Sequence, residues 1–232
     1  MRRSRVIWLT LLASLPGLIF AVVGIDLEGA DSRREAFVVI LLTVGFSYAL
    51  AALILTASTL RDERDAGTLP YIFMRPIPRL SIAISSMIAG ILAAATIAVG
   101  GWLSTVIAGL LHGAEMSLLL PGAALLIGAA VGYAAIFVPL GYLFSRSVLV
   151  GLGYLILVEF TLAPLVGGLA QLSIWRIASS IYVDLVDVTS GEVDALLGAV
   201  EPGVGGGLIK LAAALVLGTG LLTWALRTRD AL

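Results

Sequence analysis

The stretch LSIAISSMIAGILAAATIAVGGWLSTVIAGLL runs from Leu80 to Leu111 without one charged side chain. A membrane crossing takes about 20 mostly apolar residues, so this stretch spans a bilayer with length to spare and must tilt, kink or protrude. Five more stretches read the same way, at residues 6–25, 36–60, 118–144, 148–170 and 204–226. That at 118–144 also exceeds the minimum. Composition agrees: of 232 residues, 60% are hydrophobic and 12% charged, with a mean hydropathy of +1.10. Soluble domains carry about 25% charged residues. With so few polar side chains the outer surface has to face lipid. The reading is an all-α polytopic membrane protein, one transmembrane domain over residues 1–232 with six transmembrane helices.

MRRSR before the first stretch imitates a secretory signal. The apolar run is long for one, however, and no A-x-A site follows, so it is read as a retained first span. Orientation follows from the arginines. With six spans, Arg2, Arg3, Arg5, Arg61, Arg64, Arg75, Arg79, Arg146, Arg227 and Arg229 all fall on one side, against Arg33, Arg34 and Arg176 on the other. The second side collects most acids, among them Asp26, Glu28, Glu115, Asp184, Asp187 and Glu201. Both termini are therefore expected in the cytoplasm. The net charge of −1 and the lack of a basic patch speak against nucleic acid as a partner. No cysteine is present, which removes disulfide and thiolate chemistry.

The expected cytoplasmic segment 61–79 has internal grammar. Arg61 and Asp65 stand at i,i+4 spacing, Gly67 suits a helix stop, and Thr68 suits an N-cap with Pro70 in the first turn. Leu69, Ile72 and Phe73 then share one face, until Arg75-Pro76 and Pro78 end the helix. Such a helix is either an ordinary interfacial loop or a rigid knob for a motor protein to grip.

The run ERDAGTLPYIFMRPIPR resembles the signature of ATP-binding-cassette (ABC) exporter permeases of type 2, with Glu63, Arg64, Gly67, Thr68, Leu69, Pro76 and Arg79 matching in order. Where the family often has a lysine early in the third span, this chain has Ser85, Ser86 and Met87. The resemblance implies that Glu63 through Arg79, including Ile72 and Phe73, dock onto an ATPase subunit. It further implies two nucleotide-binding ATPase subunits that hold ATP and magnesium, a second permease copy as a homodimer, and a prokaryotic inner or plasma membrane. No cofactor is expected on this chain.

No GxxxxGK[ST] phosphate loop occurs. GVGGGLIK has Ile209 where the glycine before the lysine belongs, and its glycines read as a flexible entry to the last span or a close-packing face. The chain itself is therefore expected not to hydrolyse ATP. His112, the single histidine, falls in a short external turn and reads as solvated; no metal site or catalytic residue is identified. Glu159 is the one carboxylate well inside an apolar stretch, which makes it a functional candidate by default. It would line the substrate path, carry a proton, or fix packing by bonding to a neighbouring helix. Thr161, Pro164, Gly167 and Gly168 predict an irregular, tightly packed end to this span. The expected extracellular segment 171–203 predicts two short helices, one with Ile174, Ile177, Ile181, Leu185 and Val188 on its apolar face, the other capped by Ser190. They resemble the outer gate region of the same exporter family, and as a plain reading they are surface helices in the headgroup layer anchored by Trp175. A rival to ATP-driven export is a proton-coupled secondary transporter working through Glu159.

Overall fold

The structure, a computed structural model, describes residues 3–23, 30–44, 47–65, 77–188, 190–201 and 203–228. Among these residues there are helices and turns and no strand. Five helical stretches are long and apolar enough to cross a membrane: Arg34–Thr59, Arg79–Leu111, Met116–Leu143, Ser147–Leu165 and Val204–Thr228. The first apolar stretch of the sequence forms two shorter helices, α1 (Arg3–Ala13) and α2 (Leu15–Val23). Pro16 explains the division, since it has no N–H to offer the Leu12 carbonyl and its ring crowds that turn. Backbone bonds still bridge the break, from Ser14 to Thr10 (2.9 Å) and from Leu18 to Ser14 (3.0 Å). Neither half reaches crossing length alone.

The second stretch comprises α3 (Ala30–Val44) and α4 (Ser47–Asp65). The long α5 (Arg79–Leu111) follows. The fourth stretch breaks near its start into α6 (Met116–Leu119) and α7 (Gly122–Leu143), around Pro121. The fifth is α8 (Ser147–Tyr154), a π-helical segment (Leu155–Leu162) and α9 (Ala163–Leu165). After α10 (Gly167–Ala170) come α11 (Ile174–Val186), α12 (Gly191–Leu197) and the last span, α13 (Val204–Thr228).

The central element is α7, which packs against α4, α5, α11 and α13. Its sequence is alanine- and glycine-rich, and Ala129, Ala130, Tyr133, Ala134 and Phe137 are buried. Small residues are what let membrane helices approach when water supplies no driving force between them. Inside α7, Pro139 cannot donate to the Ala135 carbonyl, and Gly218 of α13 packs directly against that carbonyl. A backbone this close admits no Cβ. The α1–α2 pair lies along α5 in the same manner: a Cβ at Gly101 would come within 2.8 Å of the Ala13 carbonyl.

Buried and half-buried aromatic side chains carry their polar tips to backbone carbonyls of other helices, as a desolvated hydroxyl or indole requires. Tyr48 donates to Ala94 (3.1 Å), Tyr182 to Leu118 (3.2 Å) and Trp102 to Leu119 (2.9 Å). The outside is apolar instead: Leu92, Ile107, Leu149, Leu157, Leu217 and Trp224 are exposed. An apolar exterior over an interlocked interior is the arrangement a bilayer demands.

The segment after the fifth stretch departs from two expectations. Trp175 is no surface anchor: it is buried, and its indole donates to the Leu42 carbonyl (2.8 Å). Leu185, placed on the apolar face, is exposed, while Arg176, Ser179 and Ser180 are buried. The reason is that α11 packs into the bundle on α7 and α13, so it is enclosed on nearly every side. Ser190 does cap α12, accepting from Val193 N (3.3 Å).

Candidate functional site

Glu159 lies in the π-helical segment. Thr161 Oγ1 bonds the Ile156 carbonyl five residues back (2.9 Å), and Pro164 just beyond has no N–H to restore an α-turn. Wide π turns of this kind recur at functional sites. Within the segment Ile156, Leu157 and Phe160 are exposed, while Leu155 and Glu159 are buried. The one acid of the segment therefore turns inward. The predicted irregularity is present, and the tight packing holds in part: a Cβ at Gly167 would come within 3.0 Å of Ala199, and Ala163 and Ala170 are buried with Val200, whereas Gly168 faces open space and Leu165 is exposed.

Glu159 reaches the N-terminus of α11. Its Oε1 accepts from the backbone N–H of Ile174 (3.0 Å) and of Trp175 (3.4 Å), and from the hydroxyls of Tyr154 (3.3 Å) and Tyr133 (3.4 Å). Its Oε2 accepts from the Ser173 hydroxyl. Ser173 is the N-cap of α11, and its Oγ also accepts from Arg176 N (3.2 Å). The first N–H groups of a helix have no partner within it and carry a partial positive charge. A carboxylate from a neighbouring span meets both needs at once. Phe137, stacked on Tyr133 (5.4 Å) and edge-on to Tyr154 (5.9 Å), holds the two phenols in place.

A cavity of about 200 Å³ adjoins this cluster, lined by Glu159, Arg176 and Ser179 among others. Both Nη1 of Arg176 and Oγ of Ser179 are buried with no hydrogen-bond partner among the described residues. Burial lowers the pKa of Arg176, and the nearby Glu159 partly offsets this. Gly198, at φ 64°, backs onto the guanidinium; a Cβ there would stand 2.5 Å from Nη1.

A second carboxylate repeats the pattern one helix later. Asp184, on α11, accepts from the N–H of Val204 (2.9 Å), the first residue of α13. Gly203 N donates to the Ser180 carbonyl (3.2 Å) beside it. The π-helical segment and the last span are thus joined through α11 by two helix N-termini, that of α11 met by Glu159 and that of α13 by Asp184 of α11.

Of the segment expected to dock an ATPase, Glu63 and Arg64 fall in the last turn of α4, and Arg79 opens α5. Gly67, Thr68, Leu69, Ile72, Phe73 and Pro76 lie outside the described residues. The helices on either side, α4 and α5, pack against each other. His112 is more than solvated: Nε2 lies 3.1 Å from the Ala21 carbonyl, and its ring stands edge-on to Phe20 at 5.3 Å. It ties the ends of α2 and α5. Of the GVGGGLIK glycines, Gly205 and Gly206 face open space, while Gly207 packs on Ile181.

Ser173, Tyr133, Tyr154 and Arg176 were not singled out from the sequence. A signal for Ser173 exists, a serine just before an apolar run being an N-cap pattern. Tyrosines within apolar spans are a second signal, because a buried phenol needs a partner.

Comparison with known families finds a match over residues 1–162 to a family described as ABC-2 family transporter protein. The matched region takes in segment 61–79 and Glu159. No curated protein matches the chain.

Proposed function

The chain belongs to the ABC-2 family of transporter proteins, and from that premise we propose that it is the permease subunit of an exporter. It moves substrate out of the cytoplasm with ATP hydrolysed, together with magnesium, by a separate nucleotide-binding subunit. The observation that carries this is the family match, which contains the whole of segment 61–79. In this reading the α1–α2 pair counts as the first of six spans, both termini are cytoplasmic, and the membrane is the prokaryotic inner or plasma membrane. Two copies face each other, as closed symmetric oligomers do, above two ATPase subunits.

The mechanism is mechanical. Segment 61–79 joins the end of α4 to the start of α5, two helices that pack on each other and on α7. A push from the ATPase at Glu63 through Arg79 tilts both as rigid levers, exchanging inward for outward access. Glu159 serves this movement by anchoring α11: its two oxygens take five donors, an arrangement that favours fixing a helix over carrying protons.

The test is to copurify the chain with a phosphate-loop ATPase and measure ATP-dependent transport in proteoliposomes. Glu63→Lys and Gly67→Pro are expected to leave folding and assembly intact while transport falls at least tenfold relative to ATP hydrolysis. Transport by the purified chain alone, lost in Glu159→Gln and indifferent to ATP depletion, would instead establish the proton-coupled reading.

A further inference from the structure

On the α13 side of Ile174, a groove of about 460 Å³ runs between α7 and α13, with Leu172 and Ile174 across one end. Its floor is made of small residues, Ala135, Ala214 and Gly218 among them, which leave volume that larger side chains would occupy. Its rim includes Leu172, Leu217 and Leu221, all exposed, so the groove opens sideways from the bundle. Along α13 it extends from Lys210 to Leu221, which at 1.5 Å per residue is about 16 Å of helix.

Lys210 stands at one end. It is the only lysine of the chain, and within the five candidate spans it is the one basic residue that is not at or next to a span's end. Cations within spans are costly and rare. Its partner is neutral: Nζ donates to Oε1 of Gln171, and Gln171 is itself fixed by a bond to the Ala199 carbonyl (2.5 Å). The positive charge is thus held in position at the groove's end and stays uncompensated among the described residues. Six residues into α13, its long stem brings the ammonium towards the headgroup layer.

We propose that this groove binds one acyl chain of an anionic phospholipid whose phosphate is held by Lys210 and the Gln171 amide. Charge complementarity selects the headgroup, and the length and apolar lining select the tail. The inference is independent of the export reading and concerns a surface that reading does not use.

The test is thermal unfolding of the full-length chain in detergent micelles, titrated with phosphatidylglycerol or with phosphatidylcholine of the same acyl chains. A ligand that binds only the folded state raises the midpoint with its concentration. A rise of about 5–10 °C is expected for the anionic lipid at a hundredfold its dissociation constant, and a much smaller one for the zwitterionic lipid. Lys210→Met should remove the preference and Lys210→Arg should keep it. Equal effects of the two lipids on the unmodified chain, or a preference surviving in Lys210→Met, would overturn the proposal. So would a Leu217→Cys variant of this cysteine-free chain that forms a disulfide dimer and loses the lipid effect, because a second copy would then fill the groove.

Discussion

Replacing Glu159 by leucine tests the structural logic of the fifth span most directly. The change removes both carboxylate oxygens and strands the N–H groups of Ile174 and Trp175 and the hydroxyls of Ser173 and Tyr133. Tyr154 retains a second acceptor, the Leu172 carbonyl at 3.2 Å. Each stranded buried donor costs about 1–3 kcal/mol, but members of one network do not add. Several neutral donors stranded in one non-additive network set the expected size at about 3–5 kcal/mol. At about 2–4 °C per kcal/mol for a chain of this length, the unfolding midpoint should fall by roughly 6–20 °C. Glu159→Gln keeps one acceptor oxygen and should cost about 1–2 kcal/mol, estimated from the extra strength of bonds to a charged group. Far-UV circular dichroism of the detergent-solubilised protein reads both. A Glu159→Gln, Ser173→Ala cycle should show a coupling of about 0.5–3 kcal/mol. A midpoint for Glu159→Leu within about 2 °C of the unmodified chain, against that expected scale, would refute the reasoning: α11 would not depend on the carboxylate.

Three further changes probe packing and capping at the last span. Gly218→Val drives a side chain into the Ala135 carbonyl, which cannot yield without moving α7, so a loss of about 1–3 kcal/mol or more is expected. Gly205→Val, with nothing within 4 Å of its Cβ position, should leave the melting midpoint in place. Asp184→Ala uncaps α13 at Val204 and should cost about 1 kcal/mol, visible as a midpoint lower by a few degrees and as faster hydrogen exchange of the Val204 amide.

The apolar stretches were legible because membrane helices declare themselves by composition over some 20 residues, without any need for tertiary detail. Helix breaks were less legible. Pro16 and Pro121 mark their positions, yet a hydropathy count treats 6–25 and 118–144 as continuous. The segment at 171–203 shows the limit of periodicity: spacing correctly placed Ile174, Ile177 and Ile181 inside, then placed Leu185 with them. A helix enclosed on nearly every side buries its polar residues too, and pattern alone does not tell an enclosed helix from a surface one. Glu159 was conspicuous as a lone acid in an apolar run. Its partners were not, because Ser173 and Trp175 come to it from beyond the span, through a π turn that sequence spacing does not predict.

The two carboxylate caps bear on how force would pass through the bundle. Under the proposed mechanism it enters at the junction of α4 and α5, both of which pack on α7. From α7, contacts lead to α11 and α13, and Tyr133 of α7 reaches the carboxylate that holds the start of α11. Under the proposed mechanism a displacement of α7 would therefore act on α11 and α13 through these contacts and on the Glu159 cluster through Tyr133. Packed interiors change between discrete arrangements more readily than they deform continuously. The cluster is the natural place for such a change, because there one acid binds a membrane span, a helix N-terminus and two phenols from separate elements. Under the proposed mechanism its anchoring role and the transport cycle would meet in the same residue: intact in one state, it would transmit the movement of α4 and α5 to α11, whose Asp184 bonds the first residue of the last span.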